Sequence, residues 1–269
     1  MIDKTWKNKA SYYFGRFASR KFNRFSQKFI NYSYVKLMKL DMSEYKKYSQ
    51  YDSLQALFTR KLEKKRVYSK KEDVFISPAD SLISSVGQMK KDLSLQIKGF
   101  EYSINELTGS QIDNISKFYD KSYINLYLAP NDYHRYHAPI DMRVSKAIHI
   151  PGDLYPVNFK YLRKVDSLFN KNERVILECF TKENKRFLMV FVGAFNVGSI
   201  AFDFDEKLTT NNENRNIKVY DYENLELNKA DTLGYFKMGS TVLMMFEDEF
   251  NFDVKLNEKI KFTDKLGRY

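Results

Sequence analysis

The chain is poor in the residues that mark disulfide frameworks and metal centres. It has one cysteine, Cys179, and three histidines, His134, His137 and His149, in 269 residues. One thiol excludes an intrachain disulfide, and so few thiol and imidazole groups argue against a structural zinc site. Cys179 stands in "RVILECF", which reads as a buried strand carrying an inert thiol, in keeping with a reducing compartment. Proline is scarce, and none precedes Pro78, so no proline interrupts a helix in the N-terminal region. No run of about 18 apolar residues occurs, so no transmembrane helix is expected. The segment "MIDKTWKNKASYYFGRF" lacks a continuous apolar stretch, so no cleaved secretory signal is expected. Any membrane attachment is therefore expected to be peripheral. No fixed-period repeat or low-complexity linker is present.

What is abundant is aromatic and basic. Phe and Tyr number 22 and 20, and the net charge is +11. That balance favours an anionic partner, either nucleic acid or a membrane rich in acidic lipid. A generally lysine-rich composition would look the same. Residues 10 to 40 read as helix. At 100° per residue, Phe14, Phe17, Ala18, Phe22, Phe25 and Phe29 fall in a stripe roughly 140° wide. Arg16, Arg20 and Arg24 lie beside it, while Lys21 and Lys28 fall inside it, where long stems can snorkel. Such a helix suits a membrane interface, or packing on the protein's own core, and one face can serve each. A second helical and turn region covers 42 to 66.

From residue 74 the texture changes. Short apolar runs alternate with turn signals: "VFISPAD", "SLISSVGQM", "LSLQIKGF", "YINLYLAP", "RVSKAIHI", "RVILECF", "RFLMVFVGAFNVGSIAF", "STVLMMFE" and "FDVKLNEKIKF". Their lengths and their β-branched and aromatic content predict strands, and "TTNNENRNIKV" predicts a polar loop. The expectation is an α+β fold: a mostly antiparallel β-sandwich or barrel-like core with an N-terminal amphipathic helical layer. Residues 1–66 are expected to form the helical, membrane-associating region and 67–269 the β-rich catalytic domain.

Three short segments could carry chemistry. "NDYHRYHAPIDM" places His134 and His137 three apart between prolines. On a strand they would face opposite sides, and on a turn they could converge. "SPADSLISSVG" places Asp80 in a turn, where it could simply cap backbone amides. "GYFKMGSTVLMMFE" sets Gly239 and Ser240 between two apolar runs. A serine hydroxyl becomes a nucleophile only when a base takes its proton. His134 or His137 could be that base and Asp80 its orienting carboxylate, but such a trio also arises by chance.

Taken as a set, these segments resemble the phosphatidylserine decarboxylase family, whose members are pyruvoyl-dependent proenzymes. The likeness runs from about residue 11 to 250 through "FTRKL", "SPADSLISSVGQ", "IKGFEYSINELTG", "YHRYHAPID", "PGDLYPVN", "NERVIL", "VGAFNVGSI" and "GYFKMGSTVLMMFE", in that order. The resemblance implies that Ser240 attacks the Gly239 carbonyl, splitting the chain into 1–239 and 240–269. The resulting ester then undergoes β-elimination, the new N-terminus loses its nitrogen as ammonia to water and becomes a pyruvoyl group derived from Ser240, and no metal or external cofactor is required. It implies that Asp80 orients His137 as the base and that His134 belongs more to the decarboxylation step. It further implies that the pyruvoyl carbonyl takes up the amine of phosphatidylserine and accepts electrons as CO2 leaves, yielding phosphatidylethanolamine. The departures are Ser81 where glycine is usual, Met238 for leucine, Lys61 for proline and Met142 for glycine. None removes a reacting group. The expected partners are phosphatidylserine in anionic membranes and the chain's own two fragments, with a homodimer as a further option and no nucleic acid. The expected location is peripheral, at the cytoplasmic face of the cell membrane. Two other readings stand beside this one: a pyruvoyl enzyme for a different amine-bearing acid, and a basic membrane- or nucleic-acid-binding protein without catalysis.

Overall fold

In the computed structural model the residues described are 13, 15–90, 95–97, 100–157, 167–194, 200–208, 210, 216–237 and 240–269. Sixteen strands follow one another: β1 (Val74–Ile76), β2 (Ser81–Gln88), β3 (Leu95–Ile97), β4 (Phe100–Tyr102), β5 (Ser122–Leu128), β6 (Arg135–His137), β7 (Met142–Ile150) and β8 (Arg174–Thr181). Then come β9 (Arg186–Val192), β10 (Ile200–Phe202), β11 (Lys218–Leu227), β12 (Thr232–Phe236), β13 (Ser240–Phe246), β14 (Asn251–Phe252), β15 (Lys259–Ile260) and β16 (Lys265–Arg268). The main sheet has eight strands in the order β11-β7-β8-β9-β13-β5-β2-β15. All of its pairings are antiparallel. Its two ends, β11 and β15, do not pair with each other among the described residues, so the sheet is open rather than a barrel.

The alternation of buried side chains explains the layering. On β13, Val242, Met244 and Phe246 enter one core, while Leu243 and Met245 enter another. The first core is roofed by two three-stranded sheets, β10-β12-β6 and β1-β16-β14. Tyr136, Phe202, Phe236 and Phe75 from those sheets fill it. The second core lies under β4, which contributes Tyr102, and short helices that contribute Leu107, Phe118 and Phe169. A strand covered on both faces needs apolar residues at every position, not at alternate ones. β13 is accordingly buried at all seven. Cys179 sits in the first core, and burial pushes its thiol well above the usual range.

The N-terminal layer departs from the single helix predicted over 10–40. Helical residues 15–19 end before a break, and a new helix runs from Arg24 to Met38. Asn23 starts it by accepting a hydrogen bond from the Ser26 amide, which gives the chain a reason to restart there. Of the two uses expected for the stripe, packing on the protein's own core is not the one that Phe25 and Phe29 serve. Gln27, Asn31 and Tyr34 are buried, whereas Phe25 and Phe29 are 85% and 72% exposed. Gln27 donates to Asn31, and Asn31 donates to the carbonyls of Tyr48 and Tyr51, so the buried amides are satisfied. Phe14 of the predicted stripe lies outside the described residues.

Candidate functional site

Backbone pairing brings the three sequence segments together at one end of the main sheet. Ser240, the first residue of β13, lies opposite Leu128 at the end of β5. On the other side of β5, Leu82 lies opposite Tyr127, so the Asp80 loop enters the sheet at the same level. The chain leaving β5 turns through 129–133 to His134. The His134 carbonyl accepts from the Phe236 amide at 3.0 Å, and the Pro78 carbonyl accepts from the His137 amide at 2.9 Å. Segments 128–138 and 76–82 are thus stitched to each other and to 234–237 and 240–241. Gly234 permits the close approach of β10 to β12, because a Cβ there would overlap the Ala201 carbonyl.

Ser240 is fully buried, and its Oγ has no hydrogen-bond partner among the described residues. Its neighbour shows the contrast. Thr241 Oγ1 donates to Asn125 Oδ1 and the Leu126 carbonyl, both at 2.9 Å. Gly239, the other half of the expected scissile bond, lies outside the described residues, as does Met238.

His134 is also fully buried, with its ring 4.0 Å from that of Phe58. Its Nδ1 lies 2.9 Å from the Asp132 carbonyl. A carbonyl only accepts, so Nδ1 carries the proton and Nε2 the lone pair. That Nε2 has no partner among the described residues. Burial depresses His134 to about 3, so the ring is neutral at neutral pH. Arg60, held by the Asn131 and Asp132 carbonyls and stacked over Tyr45, adds to the depression.

His137 has a different setting. Its Nδ1 donates to the Ala230 carbonyl at 3.1 Å, and its Nε2 accepts from the Tyr133 hydroxyl at 3.1 Å. The ring stacks on Phe262 at 3.7 Å between centroids. Burial first, then Arg135 and Arg66, lowers His137 to about 3 as well. Burial pushes the Tyr133 phenol upward, so it remains a donor.

Asp80 does not contact either histidine by a hydrogen bond among the described residues. Its carboxylate accepts a two-pronged bond from Arg66 and a third from the Phe262 amide at 2.7 Å. It faces a cleft of about 470 Å³, shared with Arg60, Asp132 and Tyr133. Burial raises Asp132 in that cleft to about 6. Asp80 and His137 meet indirectly, since Phe262 gives its amide to the one and its ring to the other.

Reading the sequence did not single out several members of this cluster. Arg60 lies in the "FTRKL" motif, whose pattern alone gives it no role. Tyr133 opens the "YHRYHAPID" motif, whereas Arg66 and Phe262 carry no local signal, because only the fold brings them to Asp80 and His137. A second buried pair, His149 Nε2 donating to Glu173 Oε1 at 2.8 Å, lies near the same end of the sheet. The Glu173 carbonyl accepts from the Gly193 amide, which directly follows β9, the neighbour of β13. No group of three or more metal-ligating side chains exists among the described residues.

The sequence profile described as phosphatidylserine decarboxylase matches residues 54–268, a span that takes in Asp80, both histidines of the cluster and Ser240. The chain belongs to the phosphatidylserine decarboxylase family. A phosphatidylserine decarboxylase proenzyme of Helicobacter pylori is 40% identical over 263 residues, covering 97% of each chain. One of Campylobacter jejuni is 39% identical over 268 residues, or 98% of this chain and 99% of the relative. A Nitrosospira multiformis relative of the same description is 42% identical over 176 residues, or 64% of this chain and 61% of its own. The family match begins at Leu54, so it leaves out the helix whose aromatic residues face outward, whereas the two long alignments span nearly the whole chain.

Proposed function

We propose that this chain, a decarboxylase proenzyme by family, cuts itself between Gly239 and Ser240 and then converts phosphatidylserine to phosphatidylethanolamine and CO2. The observation that carries this reading is the Ser240 hydroxyl, buried and without a partner among the described residues at the head of a central strand. An unsatisfied buried hydroxyl costs about 1–3 kcal/mol, so it calls for a purpose other than stability. A neutral imidazole with an equally unpartnered nitrogen belongs to the segment that pairs on both sides of it.

In the first reaction the Ser240 Oγ forms a bond to the Gly239 carbonyl carbon, its proton passes to an imidazole, and the Ser240 nitrogen leaves with a proton. The product is an ester that β-elimination can open. His137 is assigned as the base, with Asp80 behind it, in keeping with the shared Phe262 contact. In that role Nε2 would trade the Tyr133 hydroxyl for that of Ser240, and Nδ1 would trade the Ala230 carbonyl for Asp80.

A pyruvoyl group made from Ser240 supplies an electron sink that ordinary side chains lack. The surroundings fit such a group: the serine is enclosed, and no competing hydrogen bond holds its oxygen among the described residues. His134 is assigned to the lipid reaction, with Nε2 as the atom that holds or returns a proton. The Asp132 carbonyl fixes its tautomer, and Phe58 excludes water from its face.

The reaction is placed at a membrane surface, at the cytoplasmic face of the cell membrane. Phe25, Phe29 and Tyr32 project outward from the helix beside Lys28 and Lys36, and the Lys36 ammonium lies 5.8 Å from the Tyr32 ring. Aromatic and basic residues on one exposed face suit an anionic lipid interface. No described helix is long and apolar enough to cross a membrane.

The deciding experiment is the intact mass of the C-terminal fragment together with CO2 release from phosphatidylserine vesicles. A fragment starting with a pyruvoyl cap, and a Ser240→Ala chain that stays whole and inactive, are expected. An active, uncut wild-type chain would refute the reading. Comparing His137→Ala with His134→Ala tests the division of roles: the first should stay whole, and the second should be cut but release no CO2.

A further inference from the structure

Asp80 is gripped by a residue that no motif marks. Arg66 Nη1 and Nη2 donate to its two carboxylate oxygens, at 2.5 and 3.0 Å. The adjoining edge of the same guanidinium, Nε with Nη2, donates to both oxygens of Glu44 at 2.8 Å. Arg66 Nη1 also donates to the Phe262 carbonyl, while the Phe262 amide donates back to Asp80. The side chains of Arg66 and Asp80 are only 10% and 14% exposed, so solvent screens this grip weakly. Tyr133 lies over the guanidinium at 5.9 Å, and Lys261 stands 3.5 Å from Glu44 on the outside.

We propose that Arg66 is a positioning residue for Asp80 in self-cleavage, with Glu44 holding the guanidinium from behind. The proposal rests on the catalytic role assigned to Asp80 above. A planar fork fixes both the place and the plane of a carboxylate, which a point charge cannot do. Three of the carboxylate's four lone-pair sites are filled by Arg66 and Phe262, and the one left, on Oδ2, is the site through which it can orient an imidazole. Phe262, whose ring carries His137, is tied at both its amide and its carbonyl into the same cluster. The trio thus joins Glu44 of the N-terminal layer, the catalytic loop and the future C-terminal fragment. No covalent step involves Arg66.

The test is the rate of self-cleavage of the full-length chain made by cell-free translation, followed on denaturing gels. Arg66→Ala should cleave about 10²-fold more slowly, the usual scale for a misplaced reacting group. Arg66→Lys keeps the charge without the fork and should fall in between. Glu44→Gln should slow cleavage least. Millimolar guanidinium ion should restore part of the rate to Arg66→Ala but none to Asp80→Asn, a rescue that a purely structural role would not give. Should Arg66→Ala fail to fold, Arg66→Lys decides: wild-type cleavage in it overturns the proposal. Normal cleavage in Arg66→Ala, or no rescue by guanidinium, also overturns it. Normal cleavage in Asp80→Asn would instead sink the role of Asp80 itself.

Discussion

The helix Arg24–Met38 and the strand Ser240–Phe246 put their aromatic residues to opposite uses. The strand hides every side chain, and Phe246 stacks on Phe250 at 3.9 Å inside the first core. The helix hides two amides and a tyrosine and turns Phe25 and Phe29 outward. Amphipathic patterning alone fits those phenylalanines either to the core or to an interface. Asn31, with three hydrogen bonds, anchors the helix more specifically than an apolar side chain could, and leaves the aromatics free for something outside the chain. The difference separates aromatics that hold the fold from aromatics that the fold leaves exposed.

The largest expected effect breaks the strand's side of that contrast. Phe246→Ala should cost about 3–5 kcal/mol of stability, measured by denaturant unfolding of an uncleaved background. A loss below about 1 kcal/mol would show that β13 is not central. Acid should come next. His134 and His137 are depressed to about 3 by burial, so between pH 6.5 and 3 the unfolded chain binds protons that the folded chain refuses. Stability present above pH 6.5 is therefore lost as pH falls through that window. Asp132, raised to about 6, binds its proton earlier in the folded state and offsets part of the loss below that pH. Replacing both histidines by Gln should flatten the decline, and an unchanged slope would contradict their burial in neutral form. Asn31→Ala should cost about 1–3 kcal/mol, because the Tyr51 carbonyl loses its donor, the Tyr48 carbonyl keeps only the Tyr51 amide, and the Gln27 amide loses its acceptor. The smallest change in stability belongs to Phe25→Ala with Phe29→Ala, within about 0.5 kcal/mol. The same pair should weaken binding to phosphatidylserine vesicles about tenfold, as expected from removing partly inserted apolar surface. Equal vesicle binding would end the interfacial reading of the helix.

The β-rich core was legible because its strands carry apolar residues at nearly every position. β11 was not, since charged and half-exposed residues alternate along this edge strand and resemble a loop. The long apolar stretch at 186–202 read as one strand but divides into β9 and β10, which belong to different sheets. The helix break at Asn23 was missed because an asparagine cap competes poorly, on paper, with a run of phenylalanines. For the site, Ser240, His134, His137 and Asp80 were all named from the sequence, and the fold brings their segments to one end of the sheet. What could not be read was the wiring. Arg66 is 14 residues from Asp80, and Phe262 is 182 away, yet both bind its carboxylate. Such contacts depend on chain crossings that no local pattern records.

The place of β13 has a consequence for molecularity. It lies between β5 and β9, while β15 and β16 of the same C-terminal stretch pair with β2 and β1. A cut just before Ser240 would turn one polypeptide into two without freeing either. The short piece could leave only by unzipping the middle of the main sheet, so dissociation and unfolding would be one event. Unfolding of the cut protein would then be second order in reverse, and its melting temperature would rise with protein concentration, whereas that of an uncut Ser240→Ala chain would not.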